Sequence, residues 1–570
     1  MPGLKIPEQP LDIFWYTGWS TRMGEWRGER RARDARIAAG RAHADGKVVP
    51  AGAVVDLLES ILRPGDRVCL EGDNQKQADC LARGLSACDP DKIHDLHMVQ
   101  SGIVLPEHLD VFETGIAKRL DYSYSGPQGV RIAKMLYGGQ IELGAVHTYL
   151  ELFARYFIDL TPNVALIAGV SADRNGNLYT GPNTEDTPTV VEATAFKNGV
   201  VVAQVNEIVD TVPRVDIPGD RVDFVVEADT PFYVEPLFTR DPAAMTETQI
   251  LIAMMAIKGI YAEYGIRRLN HGIGFGTAAI ELLLPTYGEK LGLKGKIATH
   301  WALNPHPTLI PAIESGWVKQ VHCFGSEVGM DRYIRERPDI FFTGADGSLR
   351  SNRAFCQTAG LYACDMFIGA TLQIDLMGHS STVTQSRVAG FGGAPNMGSD
   401  PHGRRHPSDA WMKAGREGQI VGDPALMRGR KLVVQLVETF GDKLVPTFVE
   451  KLDALELAKK IGLELAPVMI YADDVTHIVT EEGIANLLLC RDADEREQAI
   501  RGVAGYTEVG RGRDRAKVEA LRARGVIRRP EDLGIEPLDA DRALLAAKSI
   551  KDLVHWSGGL YEPPARFRNW

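Results

Sequence analysis

Three glycine-containing segments of the sequence could bind an anion or carry a nucleophile. The first contains Gly272, Gly274 and Gly276, between a predicted strand and a predicted helix. Backbone N–H groups at such a turn can face an anion. A dinucleotide-binding fingerprint needs G-x-G-x-x-G and an acidic residue about 20 positions later at a strand end. The spacing here is G-x-G-x-G, and the predicted strand at residues 296–300 ends without an acidic residue, so dinucleotide binding is disfavoured.

The second segment, residues 390–398, includes Gly390, Gly392, Gly393 and Asn396. Adjacent glycines allow positive φ and the close approach of a substrate. A tight loop that binds nothing is the alternative.

The third segment places Gly325, Ser326 and Glu327 directly after a strand-like stretch. A serine hydrolase elbow requires G-x-S-x-G, which this segment lacks. Glu327 is therefore the group of interest, because a carboxylate on a sharp turn can attack an activated acyl group. The alternative is a solvated surface glutamate.

The elements around these segments predict an α/β fold. An amphipathic helix at residues 54–62 precedes a short strand at residues 67–70, and Gly72 opens the next helix. The same order starts again near residue 245, with Gly274 at the position equivalent to Gly72. The sequence therefore predicts two tandem α/β domains and a helical C-terminal extension. The predicted units are an N-terminal extension at 1–51, a first α/β domain at 52–240, a second at 241–510, and a helical extension and tail at 511–570.

Composition excludes several classes of protein. The chain has 64 Lys and Arg against 75 Asp and Glu, a net charge of −11, which disfavours nucleic acid as a partner. Its seven cysteines show no C-x-x-C pair and no zinc-ligand spacing, so we expect reduced thiols, no metal and a cytoplasmic location. No apolar run is long enough for a membrane span, and we expect no membrane partner.

Taken in order, these segments resemble the class I coenzyme A-transferase family over about residues 52–510. The matching segments are 162–167 (PNVALI), 176–178 (GNL), 202–206 (VAQVN), 272–274 (GIG), 326–327 (SE), 374–378 (IDLMG), 390–393 (GFGG) and 475–483 (VTHIVTEEG). Within that family the chain is most similar to the alpha subunits of malonate decarboxylases, and more distantly to those of citrate lyases. Residues 347–350 (GSLR), 353–362 (RAFCQTAGLY) and 392–400 (GGAPNMGSD) carry this likeness.

The resemblance implies two tandem coenzyme A-transferase-like domains and an exchange of acetyl for malonyl on an acyl-carrier protein. The thiol carrier, either coenzyme A or the dephospho-coenzyme A-derived group of the carrier protein, is then a substrate, and no permanently bound cofactor is expected. Other subunits would decarboxylate the malonyl thioester. The expected partners are these decarboxylase subunits, the carrier protein, malonate, acetate and coenzyme A thioesters.

The resemblance also assigns roles to residues. Glu327 matches the carboxylate that forms a covalent thioester in transferases of free coenzyme A. In the carrier-protein branch the incoming acid attacks the acyl thioester directly and gives a mixed anhydride, and both routes stay open for this chain. Gly392 and Gly393 are the expected oxyanion donors.

Further residues are expected to bind the acid or the thiol carrier: Gly272, Gly274, Gly276, Gly390, Asn396 and Arg387. Malonate has a second carboxylate that needs a cation or backbone N–H groups, and Arg387 and the pair Arg404 and Arg405 are the nearest candidates in the sequence.

Three other functions remain open at this stage. A transferase that acts on free acetyl- or propionyl-coenzyme A has the same fold, because a fold does not fix a substrate. A citrate lyase alpha-type subunit is a second alternative. A scaffold that binds coenzyme A without catalysis is a third.

Overall fold

The computed structural model describes residues 13–73, 76–349, 353–401, 408–418, 429–568 and 570. The strands of these ranges are β1 (Val48–Pro50), β2 (Arg67–Leu70), β3 (Leu96–Gly102), β4 (Ala117–Tyr124), β5 (Glu142–Val146), β6 (Val164–Asp173), β7 (Leu178–Tyr179), β8 (Val200–Val209), β9 (Phe224–Glu227), β10 (Arg268–His271), β11 (His300–Leu303), β12 (Gln320–Cys323), β13 (Met366–Gly369), β14 (Gln373–Ile374), β15 (Ser380–Ser381), β16 (Leu432–Leu436), β17 (His477–Thr480), β18 (Gly483–Asn486) and β19 (Ile527–Arg528).

The α-helices of the same ranges are α1 (Ile13–Gly40), α2 (Val54–Ile61), α3 (Asp79–Ser86), α4 (Glu107–Glu113), α5 (Gly129–Tyr137), α6 (Tyr149–Ile158), α7 (Thr187–Phe196), α8 (Glu247–Ala256), α9 (Ala262–Tyr264), α10 (Phe275–Leu283), α11 (Ile310–Glu314), α12 (Asp331–Arg335), α13 (Arg353–Ala363), α14 (Ala394–Met397), α15 (Asp409–Gly418), α16 (Asp453–Ile461), α17 (Ala493–Val503), α18 (Glu508–Arg511), α19 (Arg515–Ala523) and α20 (Ile550–Trp556).

Each half of the chain is built on one large, mainly parallel sheet. The first has the order β1-β9-β8-β6-β2-β3-β4-β5, with parallel pairing throughout and β7 added antiparallel to β6. The second has the order β12-β11-β10-β13-β16-β17-β18-β19 and is parallel as far as β17. Helices cover the sheets, which explains why central strands such as β6 are apolar along almost their whole length. The predicted α/β class with two tandem sheets is confirmed.

Segments outside the predicted bounds of the two domains contribute strands to the two sheets. Strand β1 lies before the predicted domain start at residue 52 and pairs with β9. Strand β19 lies beyond residue 511 and pairs with β18, while Leu553 and Tyr561 are buried in the core of the second half. Part of the C-terminal tail therefore belongs to that core, while Trp570 is exposed.

Two predicted elements differ from the structure. The helix expected to open at Gly72 begins only at Asp79, because Gly72 forms an antiparallel bridge to Gln77 before the helix starts. The strand expected at 296–300 begins at His300, since residues 293–299 form turns before the chain enters the sheet.

The seven cysteines all lie in described ranges, and no disulfide joins any of them. Among the described helices, none combines the length and apolar character that crossing a membrane would require.

A segment of the second half packs on the first. Val383 and Val388 belong to the core of the first half, as do Leu452 and Leu457. The two halves therefore share buried apolar surface, and the loop that follows Val388 is held against the first sheet.

A buried carboxylate fixes the end of the first sheet where this loop docks. Asp121 on β4 accepts hydrogen bonds from His97 Nε2 and His147 Nε2, each at 2.7 Å. Burial opposes ionisation of Asp121, but the hydrogen bonds from both imidazoles outweigh it and hold the pKa below its usual value. For His147, burial lowers the pKa, but the hydrogen bond to Asp121 outweighs burial and raises it.

We predict that Asp121→Asn lowers the free energy of unfolding by about 3 kcal/mol, because a neutral amide removes the buried counter-ion of His147 and leaves it only the half-exposed carboxylate of Glu151, 3.4 Å away. Asp121 stabilises the fold above its unfolded pKa of about 4, and His147 below its unfolded pKa of about 6.5. The loss should therefore be greatest between these values and smaller at pH 8.5, as measured by urea unfolding. Asp95→Asn, in an exposed Asp–His pair, is the matched control and should have little effect. An equal loss of unfolding free energy at pH 8.5 and in the range between these two pKa values would contradict the electrostatic explanation.

Candidate active site

A cavity of about 340 Å³ lies between the two halves, at the carboxyl ends of parallel strands from both sheets. Tyr124 ends β4, His271 ends β10 and Gly369 ends β13, and all three line the cavity. Parallel strands deliver loops and side chains to one edge of a sheet, which is where α/β proteins bind ligands. This cavity is therefore the candidate active site.

The glycine segment predicted from the sequence forms one wall of the cavity. Gly390, Gly392 and Gly393 all line it. The N–H groups of Phe391 and Gly392 both donate to the carbonyl of Ser123, at 2.7 and 3.0 Å. Gly390 has φ +77° and Gly392 has φ +58°, so both positions need the conformational freedom of glycine.

The two predicted oxyanion donors differ in their environment. The Gly392 N–H is already used by Ser123. In the described contacts the Gly393 N–H has no acceptor, and Gly393 lines the cavity. Gly393 has φ −88°, so its backbone alone does not demand glycine. A Cβ there would lie 2.4 Å from Gln357 Nε2, the end of a buried side chain that would have to move.

Glu327 is buried beside the cavity, only 1% exposed, and is not among the residues that line it. One carboxylate oxygen accepts from the N–H of Phe238 at 3.1 Å, and the other accepts from the N–H and hydroxyl of Thr239 at 2.9 and 2.6 Å. Burial raises the pKa of Glu327 to about 7, against the effect of these hydrogen bonds. In this arrangement the carboxylate holds the loop that carries Phe238 and Thr239.

The remaining predicted residues fall into three places. Gly272 and Arg387 line the main cavity. Gly274 and Gly276 instead line a separate cavity of about 180 Å³. Asn396 lines a third cavity, of about 330 Å³. Its Nδ2 donates a hydrogen bond of 3.1 Å to Thr148 Oγ1, at the start of α6.

The main cavity shares lining residues with each of the other two. The residues shared with the third cavity are Phe391 and Met469. Those shared with the cavity beside α10 are Ala370 and Thr371. The predicted pair Arg404 and Arg405 lies outside the described residues.

The structure adds an arginine that the sequence reasoning did not select. Arg353 begins α13, lines the cavity and is 3% exposed. Its guanidinium forms ion pairs with Glu185 and Asp186 and lies 4.8 Å from the centre of the Tyr149 ring. Glu185 also accepts from the N–H of Ser326 at 3.1 Å, so this carboxylate connects Arg353 to the segment that carries Glu327. Arg353 lies in one of the family-like segments, but nothing in that segment shows its buried partners.

A histidine and its carboxylate partner form a second unpredicted group. His306 lines the cavity, and its Nδ1 lies 2.9 Å from Glu281 Oε1, which His271 Nδ1 approaches at the same distance. Burial opposes ionisation of Glu281, but the charge of His306 and the hydrogen bonds from both imidazoles outweigh it and lower its pKa to about 2. The His306 ring stacks on Phe238 at 5.5 Å. In the described ranges no cluster of His, Cys, Asp and Glu is arranged to hold a metal ion.

Arg240 is the third unpredicted residue, and it lies on the loop that Glu327 holds. It lines the cavity, and its NH1 group donates to the carbonyls of Leu237 and Thr239, each at 2.9 Å. No local sequence pattern marks it, since the arginine follows an irregular segment without a motif.

Comparison with known proteins supports the family resemblance. Residues 25–570 match the family described as "Malonate decarboxylase, alpha subunit, transporter". The acetyl-S-ACP:malonate ACP transferase of Malonomonas rubra is 64% identical over 537 residues, which cover 94% of this chain and 97% of the relative.

Solved structures agree with this match. The crystal structure of a Pseudomonas malonate decarboxylase hetero-tetramer in complex with malonate contains a chain that is 62% identical, with a TM-score of 0.92 and coverage of 96% of this chain and 100% of that one. A malonate decarboxylase alpha subunit from Acinetobacter baumannii is 57% identical, with a TM-score of 0.91 and coverage of 95% and 100%.

A putative citrate lyase alpha subunit from Streptococcus mutans has the same fold, with a TM-score of 0.57 at 16% identity over 84% of this chain and 86% of that one. The family match covers nearly the whole chain and agrees with two relatives of high identity. The chain therefore belongs to the family of malonate decarboxylase alpha subunits.

Proposed function

We propose that this chain is a transferase that exchanges acetyl for malonyl on the thiol of an acyl-carrier protein. The observation that carries the proposal is the cavity between the halves, where the Gly393 N–H and several cationic side chains converge in a member of this family. The relative from Malonomonas rubra is described by the same reaction. The thiol carrier is a substrate in this proposal, and the chain needs no resident cofactor.

The reaction consists of two acyl transfers. A carboxylate oxygen of malonate attacks the acetyl thioester carbonyl, the C–S bond breaks, and a mixed anhydride and a thiolate result. The thiolate then attacks the malonyl carbonyl of the anhydride, the C–O bond breaks, and malonyl thioester and acetate are released. Each attack passes through an oxyanion, which the Gly393 N–H is placed to stabilise.

We predict that Gly393→Val abolishes transfer while the fold stays intact. A Cβ at this position would lie 2.4 Å from Gln357 Nε2, so the valine must displace Gln357 or occupy the cavity. The valine keeps its backbone N–H, but its side chain would displace either that N–H or the acyl group, and loss of one oxyanion interaction lowers the rate by about 10²- to 10³-fold in other enzymes. Turnover and circular dichroism measure the two effects.

Gly52→Val is the matched control, because a Cβ at exposed Gly52 meets no atom within 4 Å. It should keep normal turnover. If Gly393→Val also kept near-normal turnover, the glycine loop would not belong to the active site.

We infer direct attack by malonate rather than a covalent intermediate on Glu327. Both oxygens of this carboxylate accept hydrogen bonds from the loop at Phe238 and Thr239, and the side chain does not line the cavity. Its role in this proposal is to hold that loop.

Mass spectrometry of the intact protein should therefore show no adduct on Glu327 after incubation with the acetyl thioester, with or without malonate. Borohydride, which reduces a glutamyl thioester to the alcohol, should leave activity unchanged. A reduced Glu327 in a tryptic peptide would establish the covalent route.

The identity of the thiol substrate distinguishes this function from the alternatives. We expect malonate-dependent transfer with the acetylated carrier protein and a much lower kcat/KM with free acetyl-coenzyme A. Equal use of free acetyl- or propionyl-coenzyme A would instead favour a free coenzyme A-transferase. Binding of the thioester without turnover would favour a scaffold.

The proposal includes partners and location. A relative of 62% identity forms part of a hetero-tetramer, and we infer that this chain assembles with decarboxylase subunits and a carrier protein in the cytoplasm. Co-purification of these subunits with the tagged chain tests the assembly.

A further inference from the structure

The main cavity contains positive charge that the protein itself does not neutralise. In the described part of the chain, Arg240, Arg353 and Arg387 line it. Arg353 is paired with Glu185 and Asp186. Neither Arg240 nor Arg387 forms an ion pair with any described carboxylate. A cation without a counter-ion at a ligand cavity favours an anionic ligand.

Arg240 is held in place by groups that use only part of its guanidinium. Its NH1 donates to the carbonyls of Leu237 and Thr239, and the guanidinium carbon lies 5.8 Å from the centre of the Phe275 ring. Burial lowers the pKa of Arg240, and the nearby Glu327 carboxylate opposes this effect. In the described contacts Nε and NH2 donate to no protein acceptor, so two N–H-bearing atoms remain for a ligand.

The nearby carboxylate of Glu327 does not take these positions. Its two oxygens accept from Phe238 and Thr239, on the loop that also carries Arg240. The Glu327 carboxylate therefore binds the backbone of this loop, while Arg240 of the same loop lines the cavity.

Arg387 approaches the same region from the glycine segment. Its side chain is exposed, and NH2 lies 3.5 Å from the carbonyl of Gly126. Tyr124, at the end of β4, lines the cavity together with both arginines. Arg240 is half-buried and Arg387 is exposed.

We propose that Arg240 binds the non-reacting carboxylate of malonate, and that Arg387 adds the second positive charge that selects a dicarboxylate over a monocarboxylate. This inference rests on the transferase function proposed above. A planar guanidinium with two free nitrogen atoms fits a carboxylate, whereas acetate has no second carboxylate to occupy it. Arg240 therefore determines specificity for the acid and does not take part in bond making.

Two assays separate this role from a general one. The first measures kcat/KM for malonate with the acetylated carrier protein. The second measures exchange of labelled acetate into the same acetylated carrier, an identity reaction that needs the transferase but no second carboxylate.

We predict that Arg240→Met lowers kcat/KM for malonate by about 10- to 100-fold, the loss typical of a hydrogen bond to a charged group. Acetate exchange should change less than about threefold on the same scale. Arg387→Met should shift the same ratio in the same direction by a smaller factor, since this side chain is exposed. Arg566→Met is the matched control, because Arg566 pairs with Glu235 at 2.6 Å and does not line the cavity.

Equal losses with malonate and acetate in Arg240→Met would overturn the proposal and assign Arg240 to the loop or to the carrier arm. Arg240→Lys, which keeps the charge, guards against a folding defect and should retain more malonate use than the methionine variant. If the wild-type chain catalysed neither reaction, the proposed function would fail. Titration of malonate alone into wild-type and Arg240→Met protein would then test whether Arg240 binds malonate. An unchanged affinity in the variant would contradict the proposal.

Discussion

The active-site cavity depends on one backbone contact between the two halves of the chain. The carbonyl of Ser123, next to the end of β4, accepts hydrogen bonds from the N–H groups of Phe391 and Gly392. A Cβ at Gly390 would lie 2.4 Å from that same carbonyl, so the contact exists only because the residue is glycine. This pairing holds the glycine segment as one wall of the cavity, which Gly393 also lines. Val388 packs in the core of the first half and adds apolar contact to the same interface.

A buried charge network surrounds Arg353, which also lines the cavity. Glu71, Asp73 and Lys76 from the first half lie with Glu185 and Asp186 near Arg353 of the second half, and all six are almost completely buried. Burial raises the pKa of Glu71 to about 7 and raises the pKa of Glu185 and Asp186. Removal of one member of such a network leaves uncompensated buried charge, so the network holds Arg353 in a fixed position.

One loop both contacts Glu327 and carries Arg240, the residue proposed to bind the acid. Glu327 accepts hydrogen bonds from Phe238 and Thr239, and the carbonyls of that loop orient Arg240. Tyr561, from the C-terminal tail, lies 3.4 Å from the Thr239 hydroxyl. In the proposed function, the Glu327 carboxylate is therefore an anchor for the side chain that recognises the acid, although its sequence segment resembles that of a nucleophile.

The sequence by itself determined the local features of the protein. Apolar strands and turn glycines predicted the two sheets, the helix at α2 and the strand at β2, and glycine spacing identified the loop at Gly390. These features depend on neighbours in the chain, and so periodicity and turn chemistry report them. Only the tertiary structure decided which groups face the cavity. It separated Gly274 and Gly276 from the main site, turned the Glu327 carboxylate toward a loop nearly 90 residues earlier in the chain, and left Arg240 without a described ion-pair partner. Such outcomes depend on contacts between distant segments, which a reading of neighbouring residues does not contain.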